Sequence, residues 1–174
     1  MTVADGEPFG KQRRRIKRWT IFLIVGLFLS GLTAVPIPTE LNVALQVLGP
    51  GLDMGGLFPA AAVQWFQQLR DGITATTRVA PFMFYGTDWL AFGHFVIGAA
   101  FFGALRDPVR NRWLYAWGAA ACLLVPAWAA VFGQVRGIPW WWRVIDASFG
   151  LIGVVPCWLC WKWTGELERG TTTH

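Results

Sequence analysis

Two ionisable side chains interrupt long apolar stretches of this sequence, His94 and Asp146. An ionisable group inside an apolar span is costly to keep there, so each is a candidate for function. A carboxylate beside an imidazole fixes its tautomer, as proton shuttling and ligand binding require. Asp88, six residues before His94, and Arg143, three before Asp146, add a second acid and a cation. Asp88, His94, Arg143 and Asp146 thus form the candidate ligand or proton site, able in principle to hold an anionic headgroup. The plainer expectation is a buried polar pair that locks helix register, with Arg143 neutralising Asp146 at i, i+3.

Spacing puts the two central residues at one depth. His94 lies six residues beyond Asp88 and Asp146 six beyond Trp140, each about 9 Å along a helix axis. Ala91, His94 and Gly98 share one helix face, and Asp146, Gly150, Gly153, Cys157 and Cys160 share another. Small residues mark faces where membrane helices approach closely, so a His94–Asp146 contact is expected.

Metal chemistry is not suggested, because a closed site takes about four ligands and no second histidine lies near His94. His174 at the chain end rules out a bis-His haem within the spans, which leaves single-His haem or chlorin ligation at His94. The sequence requires no cofactor. Cys157-Trp158-Leu159-Cys160 has the spacing of a redox pair. In helix count and length the chain resembles the quinone-linked thiol oxidases of the periplasmic disulfide pathway. That resemblance implies two cysteine pairs on the oxidising side, whereas here one pair sits at an inner helix end and Cys122 is mid-span. The cysteines therefore read as small packing residues. With no phosphate-cradling Gly loop, no Ser-His-Asp spacing and no HExxH, an enzyme is not the expectation.

The elements that carry these residues follow from composition. Of 174 residues, 55% are hydrophobic and 14% charged, with 12 Trp and 13 Phe; a soluble domain is about 25% charged. A disordered chain would lack the aromatics, and three cysteines are too few for a disulfide-stapled miniprotein. Charge-free runs cover 19–39, 89–105 and 113–135, and 144–161 holds only Asp146. Each is long enough for about 30 Å of hydrocarbon. Residues 54–69 are not, because Gln64, Gln67 and Gln68 interrupt them. The expected fold is an all-α integral membrane protein, a single domain built as a left-handed four-transmembrane-helix bundle. It has a basic tail over 1–18, spans at 19–37, 88–105, 113–134 and 141–162, loops at 38–87, 106–112 and 135–140, and a tail over 163–174.

Basic residues orient that bundle. Eleven of the fifteen lie in the two tails, the 106–112 loop and, as Lys162, at the inner end of the last span, giving that side a net +6 and the other −1. Both termini are therefore expected in the cytoplasm, with the chain in a bacterial inner membrane. The Lys11–Arg18 cluster reads as a topology signal, not a nucleic-acid site, and no cleavage motif follows it. Trp140, Trp141 and Trp142 mark an outer interface, and Arg110 and Arg112 face anionic lipid on the inner side.

The outer loop is expected to be helical in parts: a short helix over 40–48 capped by Thr39 and ended by Gly49-Pro50-Gly51, then an amphipathic helix from Pro59 to about Arg70. In the second, Gln64, Gln67, Gln68 and Asp71 oppose Phe58, Ala62, Trp65, Phe66 and Leu69, which places Trp65 against lipid. The function expected is that of a non-enzymatic accessory or interaction protein, with the bilayer, other membrane proteins or further copies of the chain as partners. The alternative is an outer-leaflet proton, small-ligand or headgroup site at His94 and Asp146.

Overall fold

The computed structural model describes residues 7–35, 39 and 60–172. The expected helix over 40–48, its Thr39 cap and the Pro59 helix start fall outside or at the edge of these. Among the described residues the elements are α1 (Glu7–Ala34), α2 (Ala60–Val79), a 3-10 turn (Pro81–Phe84), α3 (Tyr85–Arg106), α4 (Arg112–Val135) and α5 (Trp140–Thr172). Four helical stretches are long and apolar enough to cross a membrane: Gly10–Ala34, Pro81–Arg106, Arg112–Val135 and Trp140–Gly170.

Helices outrun the charge-free segments. α1 begins at Glu7, so most of the basic tail is helical, and α5 continues ten residues past 162. The reason is local: Arg, Lys, Gln and Glu are good helix formers, and charge limits where a helix meets lipid, not where it stops. α2 likewise runs nine residues beyond Arg70. Thr76 and Thr77 turn their hydroxyls back to the carbonyls of Gly72 and Ile73, both at 2.8 Å. The stop is Pro81, which disfavours helical geometry at the preceding residue; Ala80 leaves the helical region at φ −144°, ψ 61°. Along α2 the glutamines and Asp71 are exposed, while Ala62, Trp65, Phe66, Leu69 and Ile73 lie on the buried side.

The chain clusters into two compact units, Met1–Gly26 with Ile97–His174, and Leu27–Val96. In the first, segments of α1, α3, α4 and α5 meet around Ile16, Thr20, Phe101, Ala104, Tyr115, Cys157, Cys160 and Thr164, all at most 2% exposed. α4 and α5 form an antiparallel hairpin. Arg136 ends α4, Gly137 adopts φ +69°, and Ile138 N–H bonds the Gly133 carbonyl at 2.8 Å. This is a Schellman ending, with Pro139 two residues later as the stop. Further in, Pro126 has no N–H for the Cys122 carbonyl. Gly150 of α5 faces that carbonyl, and a side chain there would have no room.

In the second unit, Gly31 of α1 faces the Phe95 ring and the Ala91 carbonyl of α3. Phe28 and Phe95 rings sit 5.5 Å apart.

Candidate functional site

Asp88 and His94 belong to the second unit, Arg143 and Asp146 to the first. Asp88 is exposed in the first turn of α3, where a carboxylate suits the positive end of the helix dipole. His94 is half-buried, and its Nδ1–H donates to the Leu90 carbonyl one turn back at 2.8 Å. That bond fixes the tautomer and leaves the Nε2 lone pair as the free ligating position.

Arg143 does not neutralise Asp146. Its side chain lies across Gly133 of α4. Its Nη1 donates to Gln134 Oε1 at 2.8 Å and, more distantly, to the Ala130 carbonyl at 3.5 Å. The cation thereby sits against the negative end of α4, a favourable place for it, and only because Gly133 has no side chain. The sequence spacing i, i+3 gave no sign of this, since the competing partner comes from the neighbouring helix.

Asp146 instead lines a cleft of about 560 Å³ along one stripe of α4, with Ala121, Leu124, Trp128, Phe132 and Arg136 among its other walls. Trp128 and Phe132, four residues apart, stack at 4.2 Å between ring centroids. Arg143 lies opposite Gly133 and Gly150 opposite Cys122, so the antiparallel register sets Asp146 level with Ala129 and Ala130. It is thus about 9 Å deeper than Arg136. The Asp146 carboxylate has no hydrogen bond or ion pair among the described residues. Chemically, the cleft is an open apolar groove with Arg136 at one end and, among the described residues, an unpaired carboxyl group further along.

No protein-family model matches the chain, and no curated protein or solved structure is detectably similar to it.

The interface residues divide. Trp140 is exposed, and Trp141 and Trp142 pack edge to face at 5.6 Å. Trp65 is half-buried and its indole nitrogen has almost no exposed surface. Arg110 is exposed, its own N–H bonded to the Asp107 carboxylate at 3.1 Å. Arg112 is occupied: it lies 4.7 Å over the Trp161 ring, donates to the Trp161 carbonyl and pairs with Glu168 at 3.2 Å.

A second polar centre escaped the sequence reading. Thr20 and Tyr115 hydroxyls meet at 2.6 Å, fully buried, and Thr20 also donates to the Ile16 carbonyl at 2.8 Å. Beside them Cys160 Sγ lies 3.8 Å from the Ile16 carbonyl, and Gln12 Nε2 donates to Glu166 at 2.6 Å. The usable signal is the i, i+4, i+8 run of Gln12, Ile16 and Thr20, the uncharged stripe through an otherwise basic segment.

Proposed function

We propose that this chain is a multi-pass integral membrane protein, with both termini in the cytoplasm of a bacterium, that acts by binding membrane partners and not by turnover. The observation that supports this reading best is the exposure of its apolar helices: only 17–22% of each span window is buried within the chain. Such faces need lipid or other membrane helices against them. The charge asymmetry between the two sides supports the orientation.

Alkaline carbonate extraction and native purification in mild detergent test it. The chain should stay in the membrane pellet and then purify with a stoichiometric membrane protein or as a defined oligomer. A Thr173→Cys variant should react with an impermeant maleimide only after the cytoplasmic side is opened. A chain released by carbonate, or a lone monomer whose measurable turnover is lost in His94→Ala, overturns the reading.

One observation favours a second reading, an outer-leaflet site for a proton or small amphiphile. A carboxylate within a span costs about 2.5–3.5 kcal/mol when unpaired, and Asp146 has no partner in its cleft. On this reading Asp146 is protonated or holds a ligand donor. Dicyclohexylcarbodiimide, which attacks protonated carboxyls in apolar surroundings, should then label Asp146 in membranes and leave Asp146→Asn unlabelled. Absence of labelling in the wild type removes this second reading.

A further inference from the structure

The second and third turns of α1 carry an exposed cluster of cations. Gln12, Ile16 and Thr20 form its buried stripe: Ile16 is 1% exposed, Gln12 is bonded to Glu166 and the Trp163 carbonyl, and Thr20 to Tyr115. Those contacts fix the rotation of the helix. At about 100° per residue, Arg13, Lys17, Arg14, Arg18 and Arg15 then cover roughly 200° of the opposite circumference. All five are exposed.

Arg13 and Lys17 are four residues apart, as are Arg14 and Arg18. Each pair stacks two cations on successive turns, which weakens a helix unless an anion lies between them. Three of the described carboxylates on the same unit are already engaged. Asp107 binds the Arg110 N–H, Glu166 accepts from Gln12, and Glu168 pairs with Arg112. Among the described residues Arg13, Arg14, Lys17 and Arg18 have no acidic partner. An anion with several acceptor oxygens can bridge two side chains about 5–6 Å apart at their β-carbons. Phosphate is such an anion. Trp19, packed edge to face on Phe22 at 5.6 Å, follows at once, and a tryptophan next to an apolar span marks headgroup level.

We propose that Arg13 with Lys17, and Arg14 with Arg18, are two phosphate clamps that select anionic phospholipids from the leaflet around this end of α1. The inference rests on the membrane-spanning reading given above. The pairs lie about a quarter of a turn apart on the helix, so each takes its own phosphate. The apolar span directly below the clamps favours a lipid over a nucleic acid, because the same helix that presents the cations enters hydrocarbon one turn later. Clusters of four or more basic residues at that position bind acidic leaflets generally; here a third pair at the same spacing, Lys11 with Arg15, is set apart because Lys11 is already engaged.

The test is native mass spectrometry of the full chain released from nanodiscs of equimolar phosphatidylglycerol and phosphatidylcholine. The wild type should keep two phosphatidylglycerols in preference to phosphatidylcholine. Arg13→Gln with Lys17→Gln should keep one, as should Arg14→Gln with Arg18→Gln, and the fourfold variant none above the disc ratio. Arg106→Gln, which removes an exposed charge but no clamp, and the charge-keeping Arg13→Lys should both keep two. Helix content by circular dichroism checks that each variant is folded. Adducts that mirror the disc composition, or a fourfold variant equal to wild type, overturn the proposal. So does stripping of the adducts by excess inorganic phosphate, which would make the clamps free-anion sites. Tighter binding of a short RNA oligonucleotide than of phosphatidylglycerol vesicles, lost in the fourfold variant, would assign the patch to nucleic acid instead. A chain that enters neither anionic nor neutral discs fails the membrane reading itself, whereas one that enters both without preference fails only the clamps.

Discussion

The Cys157 sulfur of α5 occupies the notch left by Gly118 of α4, 3.0 Å from where a β-carbon on that glycine would stand. Cys122 of α4 stands in the same relation to Gly153 of α5, at 2.8 Å. Two Gly-x-x-x-Cys segments therefore interlock in opposite directions, each thiol filling the space that the partner glycine leaves empty. This arrangement gives Cys122 and Cys157 a packing role and names the glycine that each thiol fills.

Thiol reactivity checks that role. Cys157 and Cys160 are 2% and 0% exposed, so neither should react with a maleimide from either side of a folded, reconstituted protein, and both should react after denaturation. Cys122, half-buried, should react slowly. Rapid labelling of the Cys157–Cys160 pair from the outer face would instead restore a redox reading.

Glycine substitutions separate close approach from simple helix propensity. A β-carbon at Gly150 would meet the Cys122 carbonyl and stand 2.7 Å from Val125 Cβ. Gly150→Ala should therefore destabilise by about 1–3 kcal/mol, as overpacking does. At Gly93 nothing lies within 4 Å, and Gly93→Ala should gain up to about 1 kcal/mol from reduced backbone freedom. Thermal unfolding in detergent reads both, and similar Tm values for the two variants would contradict the packing described.

The two buried threonines should respond in opposite directions. Thr20→Val leaves the Tyr115 hydroxyl without its 2.6 Å partner and should cost about 1–3 kcal/mol, the penalty for an orphaned buried polar group. Tyr115→Phe should cost less, about 1 kcal/mol, because Thr20 keeps its bond to Ile16. Thr164 is fully buried with no hydrogen-bond partner for its hydroxyl among the described residues, so Thr164→Val should raise Tm. A lower Tm for Thr164→Val would mean that its hydroxyl is satisfied.

Arg143 should be structural. Arg143→Ala removes the bond to Gln134 and the cation at the end of α4, a loss of about 1 kcal/mol. Since Arg143 does not pair with Asp146, a double-mutant cycle with Asp146→Asn should give additive effects on stability. A coupling well above about 0.5 kcal/mol would place the two in contact.

Much of the architecture was readable from residue order. Charge-free runs located the four apolar helices, because crossing hydrocarbon sets a minimum length and forbids most charges. The division of α2 into a polar and an apolar face followed from the period of its glutamines and apolar residues. Helix ends were less legible: α1, α2 and α5 each extend well beyond the pattern used to find them, and the stop after α2 lay in Pro81, outside the amphipathic window.

The candidate site was legible in type but not in partnership. That His94 and Asp146 interrupt apolar helices is a property of the sequence alone, since cost in hydrocarbon depends on residue type and depth. Which atoms these groups and their neighbours touch is not. Tertiary packing turned Arg143 across Gly133 toward Gln134, opened a cleft lined by both Arg136 and Asp146, drew Arg112 to Glu168, and joined Thr20 to Tyr115. Each outcome depends on the rotation and register of one helix against another. A periodic pattern constrains that geometry to a face, and only close contacts through glycine and proline positions resolve it to an atom.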